Sequence, residues 1–169
     1  MTQPAACPCG GGTYSNCCRP LIAGAQAAVT AEQLMRSRYS AFALAARDPQ
    51  AIEHLLRTHP ETAQTPEARR KALRASCRTI EWIGLTVLDG QSGGPLDQNG
   101  TVTFEARWRD RHGGEGVVRE CSRFGRGESG EWLYLEALSA ACESKATTAV
   151  PRAASPEAAP PGSESAQGS

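Results

Sequence analysis

The 169-residue chain has no excess of charge of either sign: 18 Lys and Arg stand against 18 Asp and Glu. With an isoelectric point near 6.8, no whole-protein field drives non-specific binding to nucleic acid, although a local basic face is still allowed. Nowhere does an apolar run reach the roughly 18 residues that a transmembrane helix needs. The start, M-T-Q-P-A-A-C, lacks the basic segment and apolar core of a secretory leader, so a cytoplasmic, reducing location is expected. A C-x-x-C redox pair is absent as well. Residues 141–169 contain no aromatic residue and a single valine among many Ala, Pro, Ser and Gly. Such a segment buries too little apolar surface to offset its ordering entropy, and the expectation is a disordered tail.

What the chain does have is a concentration of cysteine. Four of its seven cysteines, Cys7, Cys9, Cys17 and Cys18, lie in the run C-P-C-G-G-G-T-Y-S-N-C-C. A C-x-C pair and a C-C pair on either side of a glycine-rich turn offer four thiolates to one tetrahedral Zn²⁺. Gly10, Gly11 and Gly12 allow the tight reversal, because glycine enters positive φ without steric cost. The alternatives are a disulfide cluster, which belongs to oxidising compartments, and a redox pair at Cys17-Cys18, which lacks its usual spacing. A four-sulfur zinc site is closed to substrate and therefore structural. Cys77, Cys121 and Cys142 are scattered, and the plain reading of a lone cysteine is a small buried apolar residue.

Helical periodicity comes next. Thr30 and Gln33 form a capping-box pattern, and Met35, Tyr39, Phe42 and Ala46 make one apolar stripe. Asp48-Pro49 opens a second helix whose face carries Ile52, Leu55, Leu56 and His59 before Pro60 stops it. Thr65-Pro66 opens a third, with Glu67 and Lys71 spaced for an i, i+4 pair. Beyond Cys77 the period becomes two. Ile80 and Trp82 share one parity and Leu85 and Val87 the other, which predicts a β-bulge at Ile83-Gly84. A loop over 91–100 leads to a strand with Val102, Phe104, Ala106 and Trp108 on one face and Arg107 and Arg109 on the other. After a turn at His112-Gly113-Gly114, Val118, Glu120, Ser122 and Phe124 share a face, and 132–135 form the last strand. Helices followed by an antiparallel meander make an α+β domain, and a bulged, bent sheet packed on helices encloses a pocket.

The cysteine run resembles the SEC-C zinc motif. The runs A-E-Q-L-M-R-S-R-Y-S-A-F (31–42), E-W-I-G-L-T-V (81–87), F-E-A-R-W-R (104–109), S-R-F (122–124) and W-L-Y-L (132–135) resemble the bacterial YchJ family, whose function is not characterised. The resemblance implies a nuclear-transport-factor-2-like cone over residues 25–140, behind a zinc motif over 1–24 and followed by the tail over 141–169. The chain departs from the pattern in a seven-residue Cys9–Cys17 loop without lysines where eight residues are usual. A second C-terminal cysteine motif is also missing. Cys121 stands where arginine is common, and Thr58 where tryptophan is common.

Two candidate sites follow. His59 and Glu120, if both face into the cone, would be the acid–base pair of an isomerase or dehydratase, activities that this fold class hosts. A buried carboxylate more often pairs with an arginine, and Arg36, Arg38, Arg107, Arg109 and Arg123 are available for that. Arg38, Tyr39, Arg107 and Arg123 are candidates for a ligand pocket, and Arg36 is expected on the solvated helix face. The favoured expectation is a zinc-binding, non-catalytic module for an unidentified protein or small ligand, with no nucleic acid or membrane partner.

Overall fold

The structure is a computed structural model that describes residues 5–138; the expected tail lies outside them, as does Cys142. Among the described residues a 3-10 turn (Tyr14–Asn16) and four α-helices precede four strands: α1 (Arg19–Ile22), α2 (Ala31–Leu44), α3 (Pro49–Arg57), α4 (Pro66–Ser76), β1 (Ile80–Ser92), β2 (Asn99–Asp110), β3 (Glu115–Arg126) and β4 (Trp132–Leu138). The strands form one antiparallel meander in the order β1-β2-β3-β4, and α2 lies against β1, β2 and β4. This is the α+β architecture that the periodicity predicts. No described helix is long and apolar enough to cross a membrane.

Local chemistry explains the helix starts. Thr30 accepts a hydrogen bond from the Gln33 amide at 3.1 Å. The reciprocal half of the box reaches one residue further back, where Gln33 Oε1 accepts from the Val29 amide at 2.8 Å. Asp48 and Thr65 cap α3 and α4 in the same way, each followed by proline at the first helical position. These caps satisfy amides that the first helical turn leaves without carbonyl partners.

The bulge expected at Ile83-Gly84 is present as a register shift between Trp82 and Gly84, and a second shift falls between Val87 and Asp89. Three expectations need correction. The 91–100 loop is shorter, because the β1–β2 pairing continues to Ser92 opposite Gly100. The cause is close packing: a Cβ on Gly100 would stand 2.4 Å from the Gly93 Cα, so glycine alone lets the two chains approach. Second, α3 ends at Arg57 with Thr58 as its cap, so His59 lies beyond the helix. Third, Glu67 forms its ion pair with Arg70, at 3.7 Å, and Arg70 also grips Glu53 at 2.6 Å.

Ile22, Leu34, Ile52, Leu55, Phe124 and Trp132 are almost wholly buried in one core. Each contributes roughly 1.5–3 kcal/mol of apolar transfer. Cys7, Cys9 and Cys18 belong to this same cluster, so the cysteine lobe packs as part of the domain. Cys77 is buried in this core, whereas Cys121, read above as a lone buried residue, is disulfide-bonded.

Candidate metal centre and sheet cavity

The cysteine run closes on itself through backbone hydrogen bonds. The Cys7 amide donates to Gly12 O at 2.7 Å and the Gly10 amide to Cys7 O at 2.9 Å. Gly10 and Gly12 hold φ of 78° and 116°, values that L side chains avoid. Ala6 and Thr13 form an antiparallel bridge at the base of the loop, and Cys18 then caps α1. The loop thus brings both cysteine pairs to one point. Cys9 Sγ lies 3.5 Å from Cys7 Sγ, 3.5 Å from Cys17 Sγ and 3.6 Å from Cys18 Sγ, while Cys17 and Cys18 are 3.8 Å apart. All four sulfurs fall within 4.8 Å of one another.

These distances discriminate between the possible chemistries. A disulfide needs sulfurs about 2.05 Å apart, and all four thiols are free. Around one cation with metal–sulfur bonds of about 2.3 Å, tetrahedral geometry sets sulfur–sulfur edges of about 3.8 Å. The donor set therefore fits a single metal ion, and four sulfurs complete its shell with no position left for substrate. Without a cation the cluster cannot ionise as a whole. Hydrogen bonding from Cys18 foremost pulls the Cys9 thiol down to about 4. Burial pushes Cys17 up to about 12, and the hydrogen bond to Cys9 pushes Cys18 up as well. A bound metal ion would supply the positive charge that lets all four be thiolates.

Helix α2 holds the lobe. Ser40 Oγ lies 3.6 Å from Cys7 Sγ, and Arg36 donates to Cys9 O at 3.2 Å while pairing with Glu32 at 2.8 Å. Arg36 is thus a half-buried tie, not the solvated residue expected. From the other side, Arg57 Nη2 donates to Leu21 O and Ile22 O at the end of α1, at 2.5 and 2.7 Å. It also donates to His54 Nδ1 at 2.9 Å. His54 Nε2 then carries the proton and donates to Ser37 Oγ at 2.9 Å, which itself donates to Leu34 O. Burial first, and the charges of Arg57 and Arg38 after it, pull the His54 imidazole down to about 2. No spacing rule marks Ser40, His54 or Arg57 in the sequence, because each acts only where two helices cross.

The second site is a cavity between α2 and the sheet. Met35, Arg38, Tyr39, Phe42, Phe104, Glu120, Ser122, Phe124 and Tyr134 line it, and the volume open to water centres is about 20 Å³. That holds a water molecule or two. Glu120 Oε1 accepts from Ser122 Oγ at 2.6 Å and from Tyr134 Oη at 3.2 Å. Arg38 is buried and donates to Leu55 O at 3.0 Å and to Thr58 Oγ1 at 2.5 Å. Its guanidinium also stands 4.9 Å over the Tyr134 ring. Burial pushes the Tyr39 phenol up to about 12.

Of the candidate residues, Arg38, Tyr39 and Glu120 therefore meet at the cavity. His59 is not among the lining residues; its ring meets Tyr134 edge-on at 5.0 Å. Arg107 and Arg123 are exposed on the far parity of β2 and β3, and Arg123 pairs with Glu136 at 2.5 Å. Strand alternation removes both from the cavity.

The family description "YchJ, middle NTF2-like domain" matches residues 30–137. The chain belongs to the YchJ family. A UPF0225 protein of Chromobacterium violaceum is 45% identical over 137 residues, covering 79% of this chain and 93% of its own. One from Geobacter sulfurreducens is 39% identical over 132 residues, covering 77% and 76%. The solution structure of a SEC-C motif containing protein from Rhodopseudomonas palustris superposes with a TM-score of 0.64 at 34% identity, over 79% of this chain and 98% of that one. The crystal structure of a SEC-C motif containing protein from Psychrobacter arcticus gives 0.60 at 24% identity, over 85% of each, and bears on the fold alone. In this YchJ-family chain the cavity lies within the matched middle domain, and the cysteine loop precedes it.

Proposed function

We propose that the protein is a zinc-stapled, non-catalytic binding module. Cys7, Cys9, Cys17 and Cys18 hold Zn²⁺, and the NTF2-like domain presents a surface to a partner. The observation that carries the reading is the spacing of the four sulfurs, 3.5–3.8 Å for the four neighbouring pairs. Four thiolates with tetrahedral edges favour Zn²⁺ or an iron–sulfur centre over harder cations. One compact loop closing on a single point favours one ion. The small cavity supports the non-catalytic half: about 20 Å³ is far below the roughly 300 Å³ at which small-molecule sites begin. Catalysis by His59 and Glu120 has less support, since the cavity has so little room for a substrate beside Glu120. Four free thiols suit a reducing compartment, and we place the protein in the cytoplasm. The cluster outweighs the disulfide at Cys121, because oxidising the cluster would destroy the metal site.

Elemental analysis of purified protein tests the reading. It predicts one zinc per chain, lost when Cys9 is replaced by serine, with no visible absorption from iron–sulfur charge transfer. A metal-free protein that folds identically with and without added Zn²⁺ would refute it.

A further inference from the structure

The neutral total charge conceals a local imbalance. From Glu67 to Arg78 the chain carries five basic residues, Arg69, Arg70, Lys71, Arg74 and Arg78, against Glu67 alone. Helix α4 sorts them. Arg69 turns inward and donates to His59 O at 3.0 Å, and Arg70 is held by Glu53 and Glu67. Lys71, Arg74 and Arg78 are exposed and recur at i, i+3 and i+7. Lys71 and Arg74 share one face of α4, and Arg78 extends this basic stripe from the turn two residues beyond the helix end at Ser76. Ala68, Ala72 and Ala75 flank it, all exposed, so no bulky side chain keeps a partner away. The β2–β3 turn adds a fourth cation, because Arg111 donates to Arg78 O at 2.9 Å and is itself exposed. Cations near a helix C-terminus also favour its dipole, but that accounts poorly for Lys71 in the middle of α4. The helix has no buried residue of its own, so its outer face is open along its length.

We propose that this stripe is the docking surface for a short acidic segment of a partner protein, read as carboxylates by Lys71, Arg74, Arg78 and Arg111. Beside the stripe, the neighbouring Arg70 grips Glu53 through Nε at 2.6 Å and Nη2 at 3.0 Å, the two-pronged geometry in which a guanidinium recognises a carboxylate. A membrane fits less well, since Leu73 of α4 packs toward the core and alanines offer nothing to insert. A nucleic acid fits less well too. Among the described residues no Phe, Tyr or Trp is exposed for base stacking, and the neutral chain provides no long-range field for a polyanion.

The inference names the partner chemistry of the module proposed above and rests on it. The α4 substitutions leave the cysteines untouched, so zinc content and peptide binding fail separately. The test is fluorescence anisotropy of a labelled oligoglutamate peptide on the zinc-loaded full chain, with a single-stranded oligonucleotide of equal charge alongside. Ionic strengths of about 0.01 M and about 0.15 M set screening lengths of roughly 30 and 8 Å. The expected result is saturable peptide binding that weakens with salt and falls roughly tenfold or more in Lys71→Glu/Arg74→Glu/Arg78→Glu. The milder Arg74→Lys/Arg78→Lys variant should keep most of it, and thermal unfolding checks that each variant is folded. Peptide affinity unchanged by the charge reversal, or an oligonucleotide bound more tightly through the same residues, would overturn the proposal.

Discussion

Replacing Cys9 and Cys17 by serine, one at a time, should separate a true four-sulfur metal site from a fortuitous cluster. Cys9 is the hub: its sulfur lies within 3.6 Å of the other three, and the residue is 2% exposed. Cys17 is half-buried at the rim. Structural zinc sites bind with about 10–16 kcal/mol, or roughly 2.5–4 kcal/mol for each of four ligands. Loss of one thiolate should therefore weaken zinc by about 10²–10³-fold. Cys9→Ser should fall at the upper end and Cys17→Ser at the lower, where water can take the vacated position. Because the lobe shares the domain's core, the loss should reach global stability. A metal present at about 1,000 times its dissociation constant stabilises the native state by about 4 kcal/mol. Unfolding entropy near 2.1 cal/mol/K per residue over residues 5–138 turns that into a fall in Tm of about 15 °C on chelation. Competition with a chromophoric chelator reads the first number and thermal unfolding with and without chelator the second. Equal zinc affinity in wild type and both variants, or a Tm indifferent to chelation, would refute the reasoning.

Other expectations follow from the helix crossings and the sheet. The folded-state pKa of His54, about 2, lies below the usual 6.5. The unfolded chain then binds the proton first as pH falls, and stability is lost downward from about pH 6.5. The slope is about 1.4 kcal/mol per pH unit, or about 2 kcal/mol by pH 5; urea midpoints of metal-loaded protein should show that slope flattened in His54→Gln. Arg57→Ala removes the side-chain donor from Ile22 O and leaves Leu21 O with the Gly24 amide alone, and should cost about 1–3 kcal/mol, with faster amide exchange at Gly24 and Ala25 as its local signature. A Cβ on Gly116 would fall 2.5 Å from Trp108 Cζ2. Gly116→Val should therefore cost roughly 1–3 kcal/mol through forced movement of the indole, visible as a shift in tryptophan emission.

Much of the fold was legible because it is written in local signals. Thr30, Asp48-Pro49 and Thr65-Pro66 announce three helices through chemistry confined to a single turn. The change of period beyond Cys77 announces the sheet, and the parity break at Ile83-Gly84 announces its bulge. The C-x-C and C-C pairs with three glycines between them mark the candidate metal-ligating set for the same reason: the four cysteines and the turn lie within a dozen residues. The cavity was half legible. Strand parity placed Glu120 and Phe104 on the inner face, yet His59 was misassigned to a helix, since a stop at Thr58 or at Pro60 looks alike in sequence. Helical spacing placed Arg38 toward the pocket and Arg36 toward solvent, but charge and spacing gave neither its partner. Arg38 reaches Thr58 and the Tyr134 ring and Arg36 reaches Cys9 O, and only the packing around α2 decides those partners.

The sequence by itself determined the helix starts, the strand faces and the four thiols, because each depends on neighbours a few residues away. The tertiary structure decided how those pieces meet. It seated the cysteine lobe on α2 through Arg36 and Ser40, clamped α1 to α3 through Arg57 and His54, and left the cavity room for little more than water. It also turned Lys71, Arg74 and Arg78 outward beside Arg111. These are contacts between residues distant in the chain, whose energies exist only once packing has brought the groups together and excluded the water between them.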